Sequence, residues 1–331
     1  MGSGRSQVTP QLILTVTRAC NLRCSYCPTV KDGWPSLSPD DVRGAIALFA
    51  DTFGGGDIKL FGGEPLMAPE AVATALDEAE RRPEVRRIYL STNGLGLDLD
   101  WIERLRRHSK AVLTLSMDGE AGDHRRLRRA LPGVGDAYDH ILSLREELLA
   151  TPRVVITQTI APSTARNAEA NFQHLRSLGF WRFNFLPGYF LLWRPEQLQA
   201  LRQGFAGIRA RIEASWRAGE RLYVRNLFTR APTPFFNTGL IVDADRTVHP
   251  SNVGLSGSLD HLRARTQVGS LDAPPTPAEL AARSQTVPSL LEEAVGPRVW
   301  SSTQDADAEL TAFCRGLYPS YFAMRKQRVA S

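Results

Sequence analysis

The sequence predicts an α/β fold in which six parallel strands form a curved or partly closed barrel. Short apolar runs alternate with longer amphipathic stretches through the first two-thirds of the chain. The strand-like runs are residues 12–17, 58–61, 87–91, 111–116, 154–160 and 183–186. The helix-like stretches lie near residues 39–52, 70–81, 99–109, 136–149 and 164–178. Parallel neighbours need crossover connections, and helices between strands supply them, so the alternation favours a parallel sheet.

Capping residues mark the ends of two of these helices. Residues 38–41, Ser-Pro-Asp-Asp, are typical of an N-cap followed by Pro at the first helical position and acids in the first turn. Leu178 and Gly179 indicate a helix that ends with Gly at its C-cap. After about residue 190 the pattern predicts a helix over 195–218, a hairpin over 240–249, a loop or loosely held crossover over 270–289, and a helix over about 305–328.

Composition and charge narrow the classes of protein. The 331 residues are 43% hydrophobic and 23% charged, which is ordinary for a globular chain of one large domain or one domain plus an appendage. The net charge is +5, and the arginines are spread along the chain. Basic runs such as residues 125–129 are short, which is more typical of a solvated face than of a nucleic-acid site. Neither a membrane span nor a signal peptide is indicated. We therefore expect no membrane or nucleic-acid partner.

Three of the four cysteines, Cys20, Cys24 and Cys27, lie within eight residues directly after the first strand. Such thiolates favour zinc, copper(I) or an iron–sulfur cluster, and suit a reducing, cytoplasmic compartment. A structural zinc site normally has four ligands, whereas the fourth cysteine here is Cys314 and no His lies near the loop. A four-iron cluster held by three thiolates would leave one iron free to bind another ligand.

The spacing Cys-x3-Cys-x-aromatic-Cys after a first barrel strand resembles that of the radical S-adenosylmethionine (radical SAM) superfamily. The resemblance implies a partial (β/α)6 TIM-like barrel, one [4Fe–4S] cluster on Cys20, Cys24 and Cys27, and S-adenosylmethionine bound at the open iron. In that family, electron transfer into the sulfonium releases a 5′-deoxyadenosyl radical. A flavodoxin- or ferredoxin-type electron donor is also implied. A zinc site or a redox loop without enzymatic activity is the alternative to this interpretation.

The segment Phe61-Gly62-Gly63-Glu64-Pro65 follows the second strand-like run. Taken alone it could be a tight turn before a helix, since Gly tolerates unusual dihedrals and Pro opens helices. It matches the Gly-Gly-Glu-Pro element of the resembled family, which contacts the amino group of S-adenosylmethionine. The resemblance therefore implies cofactor binding by Gly62, Gly63, Glu64 and Pro65.

Other cofactor-binding candidates lie in the cysteine loop and at strand ends, where α/β barrels place their chemistry. Tyr26, between the second and third cysteines, is implied to lie against the adenosine. Ser91 and Asn93 belong to a Ser-Thr-Asn-Gly segment that is also a common turn sequence. The resemblance places this segment near the ribose and the methionyl carboxylate. Thr159 could border the adenine, and Asn184 could reach a ligand from the sixth strand.

Ser116 and Asp118 end the fourth strand, and His124 and Arg128 follow. This order resembles the Asp-Gly…His-Asp…Arg pattern of peptide-maturing and sulfatase-maturing enzymes, although Asp123 here precedes the histidine. Ser116 could bind ribose hydroxyls. Asp118 is a cofactor-binding candidate, and as an alternative it could be a turn residue that bonds its own backbone.

The hairpin near residues 242–251 resembles the start of a SPASM/twitch-type extension, which typically reads Asp-x-x-Gly-x-x-x-Pro-Cys. There the cysteine begins an auxiliary cluster, but Ser251 stands at its position here and only Cys314 follows. One thiol cannot hold a cluster. We expect an N-terminal tail (1–10), a radical SAM barrel (11–190) and a degenerate twitch-like extension (191–331) without a second cluster.

The expected function is hydrogen abstraction from a small natural-product precursor by the 5′-deoxyadenosyl radical. A small molecule is favoured because the cluster loop begins at Cys20 and leaves no N-terminal length for a module that binds a leader peptide. Two alternatives are radical maturation of a ribosomally made peptide, and a different cleavage that transfers a 3-amino-3-carboxypropyl group.

Overall fold

The computed structural model describes residues 9–27, 29–228, 236–251 and 261–330. The strands are β1 (Gln11–Thr17), β2 (Leu22–Cys24), β3 (Gly56–Gly62), β4 (Val85–Thr92), β5 (Ala111–Ser116), β6 (Arg128–Ala130), β7 (Val154–Ile160), β8 (Arg182–Pro187), β9 (Tyr223–Val224), β10 (Phe236–Val242), β11 (Thr247–Ser251) and β12 (Gly269–Ser270). The helices are α1 (Pro39–Phe53), α2 (Pro69–Arg81), α3 (Leu99–Arg107), α4 (Ala121–Leu127), α5 (Ala137–Ser143), α6 (Arg145–Ala150), α7 (Ala168–Ser177), α8 (Pro195–Arg217), α9 (Arg263–Thr266), α10 (Pro277–Val295) and α11 (Pro297–Ala330). Short 3₁₀ turns cover Pro65–Met67, Ala165–Asn167 and Arg225–Phe228.

The main sheet has the order β12-β11-β10-β1-β3-β4-β5-β7-β8-β9 within the described residues. Its centre, β1-β3-β4-β5-β7-β8, consists of the six strands that the sequence predicts, all parallel to their neighbours. Helices connect these strands, so the prediction of an α/β partial barrel is confirmed. The parallel order places the ends of all six strands at one edge, which is where the predicted site residues lie.

The helices pack against one face of the sheet, and this fixes which strand residues face the other way. Leu12 and Leu14 of β1 and Ile58 and Leu60 of β3 are fully buried and belong to one core with the helices. Successive strand residues point to opposite faces, so the residues between them lie on the concave face of the barrel. That face carries polar and charged side chains, among them Lys59.

The capping residues predicted from the sequence lie at the observed ends of α1 and α7. Ser38 forms a capping box with Asp41, and α1 ends at Gly54 in the left-handed region. Helix α7 ends with Leu178 as its C-cap, and Gly179 follows with φ +98°. The predicted helix over 136–149 is two helices, α5 and α6, with Leu144 between them.

The prediction of a loop or loose crossover over 270–289 is wrong, because α10 occupies most of that stretch. Thr276 and Glu279 form a capping box with Pro at the first helical position. Val287 and Leu291 are buried at the spacing of one helix turn. The Pro/Ala/Ser-rich composition concealed this apolar spacing. The terminal helix α11 likewise begins at Pro297, earlier than predicted.

The predicted hairpin is confirmed as the antiparallel pair β10–β11. Strand β10 also pairs in parallel with β1, so the hairpin continues the barrel sheet next to the first strand. Residues 1–8 of the predicted N-terminal tail and the side chain of Ser251 lie outside the described part of the chain. None of the helices in the described part combines the length and the apolar composition that a membrane span requires.

Two buried histidines are expected to make the stability of the fold depend on pH. Burial lowers the pKa of His124 and of His249 from 6.5 to about 4. The unfolded chain protonates both near pH 6.5 while the folded chain keeps them neutral, so their contribution is complete above pH 6.5 and is lost as the pH falls toward 4. At 1.36 kcal/mol per pKa unit, each histidine lowers the free energy of unfolding by roughly 2 kcal/mol when the pH falls from 6.5 to 5.

We expect urea unfolding to show this loss of free energy at pH 5 relative to pH 7.5, and His249→Gln to reduce it. The exposed His261 provides the control, because His261→Gln is expected to leave the pH dependence unchanged. An equal pH dependence in all three proteins would contradict this assignment.

Candidate functional site

The three clustered cysteines follow β1 and flank the short strand β2. Strand β2 pairs with β6 in antiparallel fashion, and this pairing sets Cys24 opposite Arg128. The Leu22 amide donates to the Cys20 Sγ at 3.4 Å, and the Cys27 amide donates to the Cys24 carbonyl at 3.1 Å. All four cysteines of the chain are free thiols. The local backbone thus holds the cysteine loop, residues 20–27, in a defined conformation at the edge where the parallel strands end.

Two cations offset part of the cost of ionising these thiols. Burial raises the pKa of Cys24 to about 11 and also raises that of Cys20. The Arg128 guanidinium opposes this effect at Cys24, and the Lys31 ammonium opposes it at both thiols. Lys31 is held in place because its Nζ donates to the Leu22 carbonyl at 2.9 Å. Because metal ligation needs thiolates, Arg128 and Lys31 favour the ligand form of the loop.

The donor set fits an iron–sulfur cluster better than a single metal ion. Within the described residues, no three His, Cys, Asp or Glu side chains are arranged to hold one ion. In a cluster each thiolate binds its own iron, so the three sulfurs need not converge on one point. The remaining cysteine, Cys314, lies in α11 beside Asp307, where burial raises its pKa to about 12.

The two glycines after β3 let its loop pass directly against the start of the cysteine loop. The Gly63 amide donates to the Thr17 carbonyl at 2.9 Å, and the Glu64 amide donates to the Ala19 carbonyl at 2.8 Å. A Cβ at residue 63 would lie 2.2 Å from the carbonyl oxygens of both Arg18 and Ala19. Gly62 has φ +140°, which favours glycine. The loop around Gly62 and Gly63 therefore fixes the backbone that leads into Cys20.

Replacing Gly63 with alanine is expected to displace this backbone. Overlap with two carbonyl oxygens costs about 1–3 kcal/mol and moves the cysteine loop, so the protein should bind less iron. The matched control is Gly44→Ala on the exposed side of α1, where a Cβ meets nothing within 4 Å and a gain of about 0.4–1 kcal/mol is expected. Iron content and thermal unfolding of both variants measure the effect. Full iron content in Gly63→Ala would contradict it.

Glu64 joins the glycine loop to the end of β4. Its buried carboxylate accepts hydrogen bonds from the Leu66 amide (3.1 Å), the Thr92 hydroxyl (2.7 Å) and the Asn93 amide (2.7 Å). The Asn93 side chain in turn donates to Asn21 Oδ1 at 2.7 Å, directly after Cys20. The structure therefore brings Glu64 and Asn93 together beside the cysteine loop. Sequence reasoning missed Thr92 and Asn21, whose roles depend on this tertiary contact.

Asp118 is the centre of a second buried network. Its carboxylate accepts from the Tyr26 hydroxyl at 3.0 Å and from the Thr159 amide at 3.0 Å. Arg128 donates to both of its oxygens, at 2.8 and 2.9 Å. The network thus joins the cysteine loop to the ends of β5 and β7, and brings three predicted site residues together. Protein donors engage both oxygens, so we interpret Asp118 as a residue that positions Tyr26 and Arg128.

The other candidates lie apart from these two networks. Pro65 is buried at the start of a 3₁₀ turn. The Ser91 hydroxyl donates to Thr114 Oγ1 at 3.4 Å. Ser116 and Asn184 both pair with Thr157 of β7, so the three form a polar row across neighbouring strands on the concave face. The sequence did not predict Thr157 as a site residue. Its position between Ser116 and Asn184 becomes visible only from the strand register.

A buried ion pair connects the cysteine loop to the C-terminal hairpin. Arg18 is fully buried, and its Nε donates to Asp243 Oδ1 at 3.1 Å, while a second nitrogen contacts the other carboxylate oxygen. Two guanidinium groups lie over the Trp34 ring: that of Arg18 is 3.6 Å from the ring centroid, and that of Arg263 is 4.5 Å from it. The residues flanking the cysteine loop on both sides are thus held by the segment that follows the barrel.

Comparison with known proteins agrees with this geometry. Residues 14–160, which include the cysteine loop and the networks of Glu64 and Asp118, match the Radical SAM superfamily. The chain contains a radical SAM domain. Members of this family use a [4Fe–4S] cluster and S-adenosylmethionine, so these are the cofactors of the domain.

Curated relatives match only part of the radical SAM domain. GTP 3′,8-cyclase 2 of Mycobacterium tuberculosis (strain H37Rv) is 36% identical over 98 residues, which are 28% of this chain and 26% of the relative. GTP 3′,8-cyclase of Klebsiella pneumoniae (strain 342) is 31% identical over 115 residues, 32% of this chain and 33% of the relative. The match thus spans about a quarter to a third of the relatives' length.

Solved structures share the fold over a longer range. The structure of anSMEcpe with bound AdoMet and the Cp18Cys peptide has a TM-score of 0.72 at 16% identity, covering 96% of this chain and 99% of that one. Streptococcus suis SuiB bound to the precursor peptide SuiA has a TM-score of 0.54 at 12% identity. The match covers 73% of this chain and 59% of that one. At these identities the likeness shows that the chains share a fold.

Proposed function

We propose that this chain is an enzyme that cleaves S-adenosylmethionine reductively and uses the resulting radical on a small substrate. The observation that carries the proposal is the packing of the Gly62–Glu64 loop against residues 17–19. That contact sets the candidate cofactor loop beside the cysteines. The family match supports the cofactors, and the reaction and substrate are our inference.

Cys20, Cys24 and Cys27 would hold the cluster, and the loop of Gly62 to Pro65 would bind S-adenosylmethionine next to it. The chemistry that a cluster held by these cysteines would supply is one-electron reduction of the sulfonium, with cleavage of the C5′–S bond to methionine and a 5′-deoxyadenosyl radical. Glu64 orients the Asn93 loop, and Asp118 orients Tyr26 toward the same region. The polar row of Ser116, Thr157 and Asn184 offers hydrogen-bonding groups on the concave face. These residues would hold the reacting C–H bond near C5′ and exclude water.

We also propose that the barrel, residues 11–190, carries this chemistry with a single cluster. The extension, residues 191–331, contains one cysteine, Cys314, which lies beside Asp307 in α11. The extension would support the site through Asp243 rather than through a second cluster. The net charge of +5 suits association with an acidic flavodoxin- or ferredoxin-type donor.

Product analysis tests this proposal. The anaerobically reconstituted protein is mixed with dithionite and S-adenosylmethionine, and the products are separated by chromatography. We expect 5′-deoxyadenosine and methionine. Methylthioadenosine would instead indicate transfer of a 3-amino-3-carboxypropyl group. A colourless protein with stoichiometric zinc, or a cluster spectrum that S-adenosylmethionine does not change, would refute the enzyme proposal.

Maturation of a peptide is the second candidate function. Two fold neighbours are solved with bound peptides, Cp18Cys in one and SuiA in the other. A peptide substrate therefore needs a separate test. The two candidates differ in which substrate accelerates 5′-deoxyadenosine formation. A set of small acids and phosphates is compared with short peptides, and acceleration by peptides alone would replace the small-molecule proposal.

A further inference from the structure

The floor of the barrel carries three basic side chains, and one of them, Lys59, forms no ion pair within the described residues. We define the barrel floor as five residues on the concave side: Lys59 and Tyr89 in the middle of β3 and β4, Arg182 and Tyr223 at the beginnings of β8 and β9, and Arg225 directly after β9. We infer that the barrel floor binds an anionic group of the substrate, a carboxylate or a phosphate, through Lys59. The inference rests on the proposed function, because it takes the concave face as the substrate site.

Lys59 has no counter-ion among the described residues. It lies between Ile58 and Leu60, which face the helices, so its side chain points to the concave face beside Tyr89 of β4. The described residues give it neither a hydrogen bond nor an ion pair. Asp57 lies on the same face of β3, but Arg86 binds both of its oxygens, at 2.9 and 2.7 Å. The nearest carboxylate along the strand is therefore already neutralised.

A second cation lies next to Lys59. The Arg225 guanidinium stacks on the Tyr89 ring, 4.1 Å from its centroid. Burial and the charge of Arg225 lower the pKa of Lys59 to about 8, against a smaller opposing effect of Asp57. The ammonium is thus in a site that disfavours its charge, and an anion bound there would remove that penalty.

Two further polar atoms of this region lack a partner in the described structure. The Nε of Arg182 is buried without an acceptor, although its guanidinium stacks on Trp181 and Tyr223 at 4.2 and 5.7 Å. The hydroxyl of Thr15 on β1 is also buried without a partner. Thr15 lies on the same face as Ile13, which pairs with Lys59, but Thr15 itself pairs with Phe61, so its hydroxyl lies between the barrel floor and the loop that begins at Gly62. Buried polar atoms are normally satisfied, so the Arg182 Nε–H and the Thr15 hydroxyl are available to acceptor oxygens of a bound ligand.

The position of Lys59 also limits the shape of the substrate. Lys59 is three residues before Gly62, and strands rise about 3.3 Å per residue, so about 10 Å separate the barrel floor from the candidate cofactor loop. A substrate anchored at Lys59 would place a carbon about 10 Å from its anionic group beside the cofactor. The substrate class is thus a small acid or phosphate monoester of roughly that length.

Anion binding to the cluster-loaded protein tests the inference. Thermal unfolding is followed while inorganic phosphate or acetate replaces chloride at constant ionic strength, in the wild type, Lys59→Met and Lys326→Met. We expect a saturable rise in the wild-type Tm with one or both anions, unchanged in Lys326→Met because Lys326 is exposed. Lys59→Met should bind at least tenfold more weakly. A phosphate response would indicate a phosphorylated substrate, and an acetate response would indicate a carboxylate.

Two results would overturn the inference: no saturable response in the wild type, or an equal response in Lys59→Met. The variant should fold, because it removes an uncompensated charge and keeps the side-chain length, and its Tm in chloride checks this. Lys59→Arg, which keeps the charge, should retain the response. Formation of 5′-deoxyadenosine by the wild type without substrate tests the proposed function separately, so failure of one does not hide failure of the other.

Discussion

Replacing Cys24 with alanine is expected to abolish cluster binding and cleavage of S-adenosylmethionine together. With two thiolates left in the loop, the cluster loses one of its protein ligands, and Cys314 in α11 lies outside the loop. Removing groups that only orient a metal ligand commonly costs 10–100-fold, so loss of the ligand itself should reduce activity by more than about 100-fold. Iron and sulfide content, the visible spectrum of the reconstituted protein and the yield of 5′-deoxyadenosine measure the effect.

Cys314→Ala is the matched control for this experiment. Its thiol lies beside Asp307 and belongs to the packing of α11, so the variant should keep its iron and its activity. If Cys314→Ala lost the cluster as fully as Cys24→Ala, the assignment of three ligands in one loop would be wrong. Cys20→Ala and Cys27→Ala should behave as Cys24→Ala does.

Removal of the Asp118 carboxylate is expected to have the largest effect on folding. Asp118→Ala leaves the buried Arg128 guanidinium without its two hydrogen bonds and leaves the Tyr26 hydroxyl and the Thr159 amide without their acceptor. Breaking a buried ion pair by removing one partner costs about 3–5 kcal/mol. Urea unfolding gives the change in free energy, and iron content shows whether Cys24, opposite Arg128, keeps its place.

An exposed ion pair provides the comparison for Asp118. Asp40 and Arg43 form such a pair on the surface of α1, where solvent screens the charges, so Asp40→Ala should leave the free energy of unfolding nearly unchanged. If Asp118→Ala were as mild as Asp40→Ala, the Asp118 network would not support the site. Asp118→Asn keeps the shape and one acceptor oxygen, and an intermediate loss is expected for it.

The local features of this chain could be predicted from sequence, because each depends on a few neighbouring residues. The six central strands follow from short apolar runs, and the start of α1 follows from the capping residue Ser38. The cysteine spacing is likewise visible without a structure. The hairpin of β10 and β11 was found for the same reason, since its turn residues are adjacent.

The contacts that support the site could not be predicted, because they join distant parts of the chain. Arg128 lies opposite Cys24 only through the register of β2 and β6. Glu64, after β3, contacts Thr92 at the end of the neighbouring strand β4, and nothing in the local sequence marks Thr92 as its partner. The cationic barrel floor likewise appears only when Lys59 and Arg225, which are far apart in sequence, meet on the concave face.

The pairing of Arg18 with Asp243 has a consequence for biosynthesis. The two residues are 225 positions apart. At 5–20 residues per second, the ribosome needs roughly 10–45 s to make the chain between them. During that time Cys20, Cys24 and Cys27 already exist, while the hairpin that holds their flanking residues does not. The nascent chain therefore presents three reactive thiols before their support has been made, and iron delivered after the hairpin has docked meets a finished site.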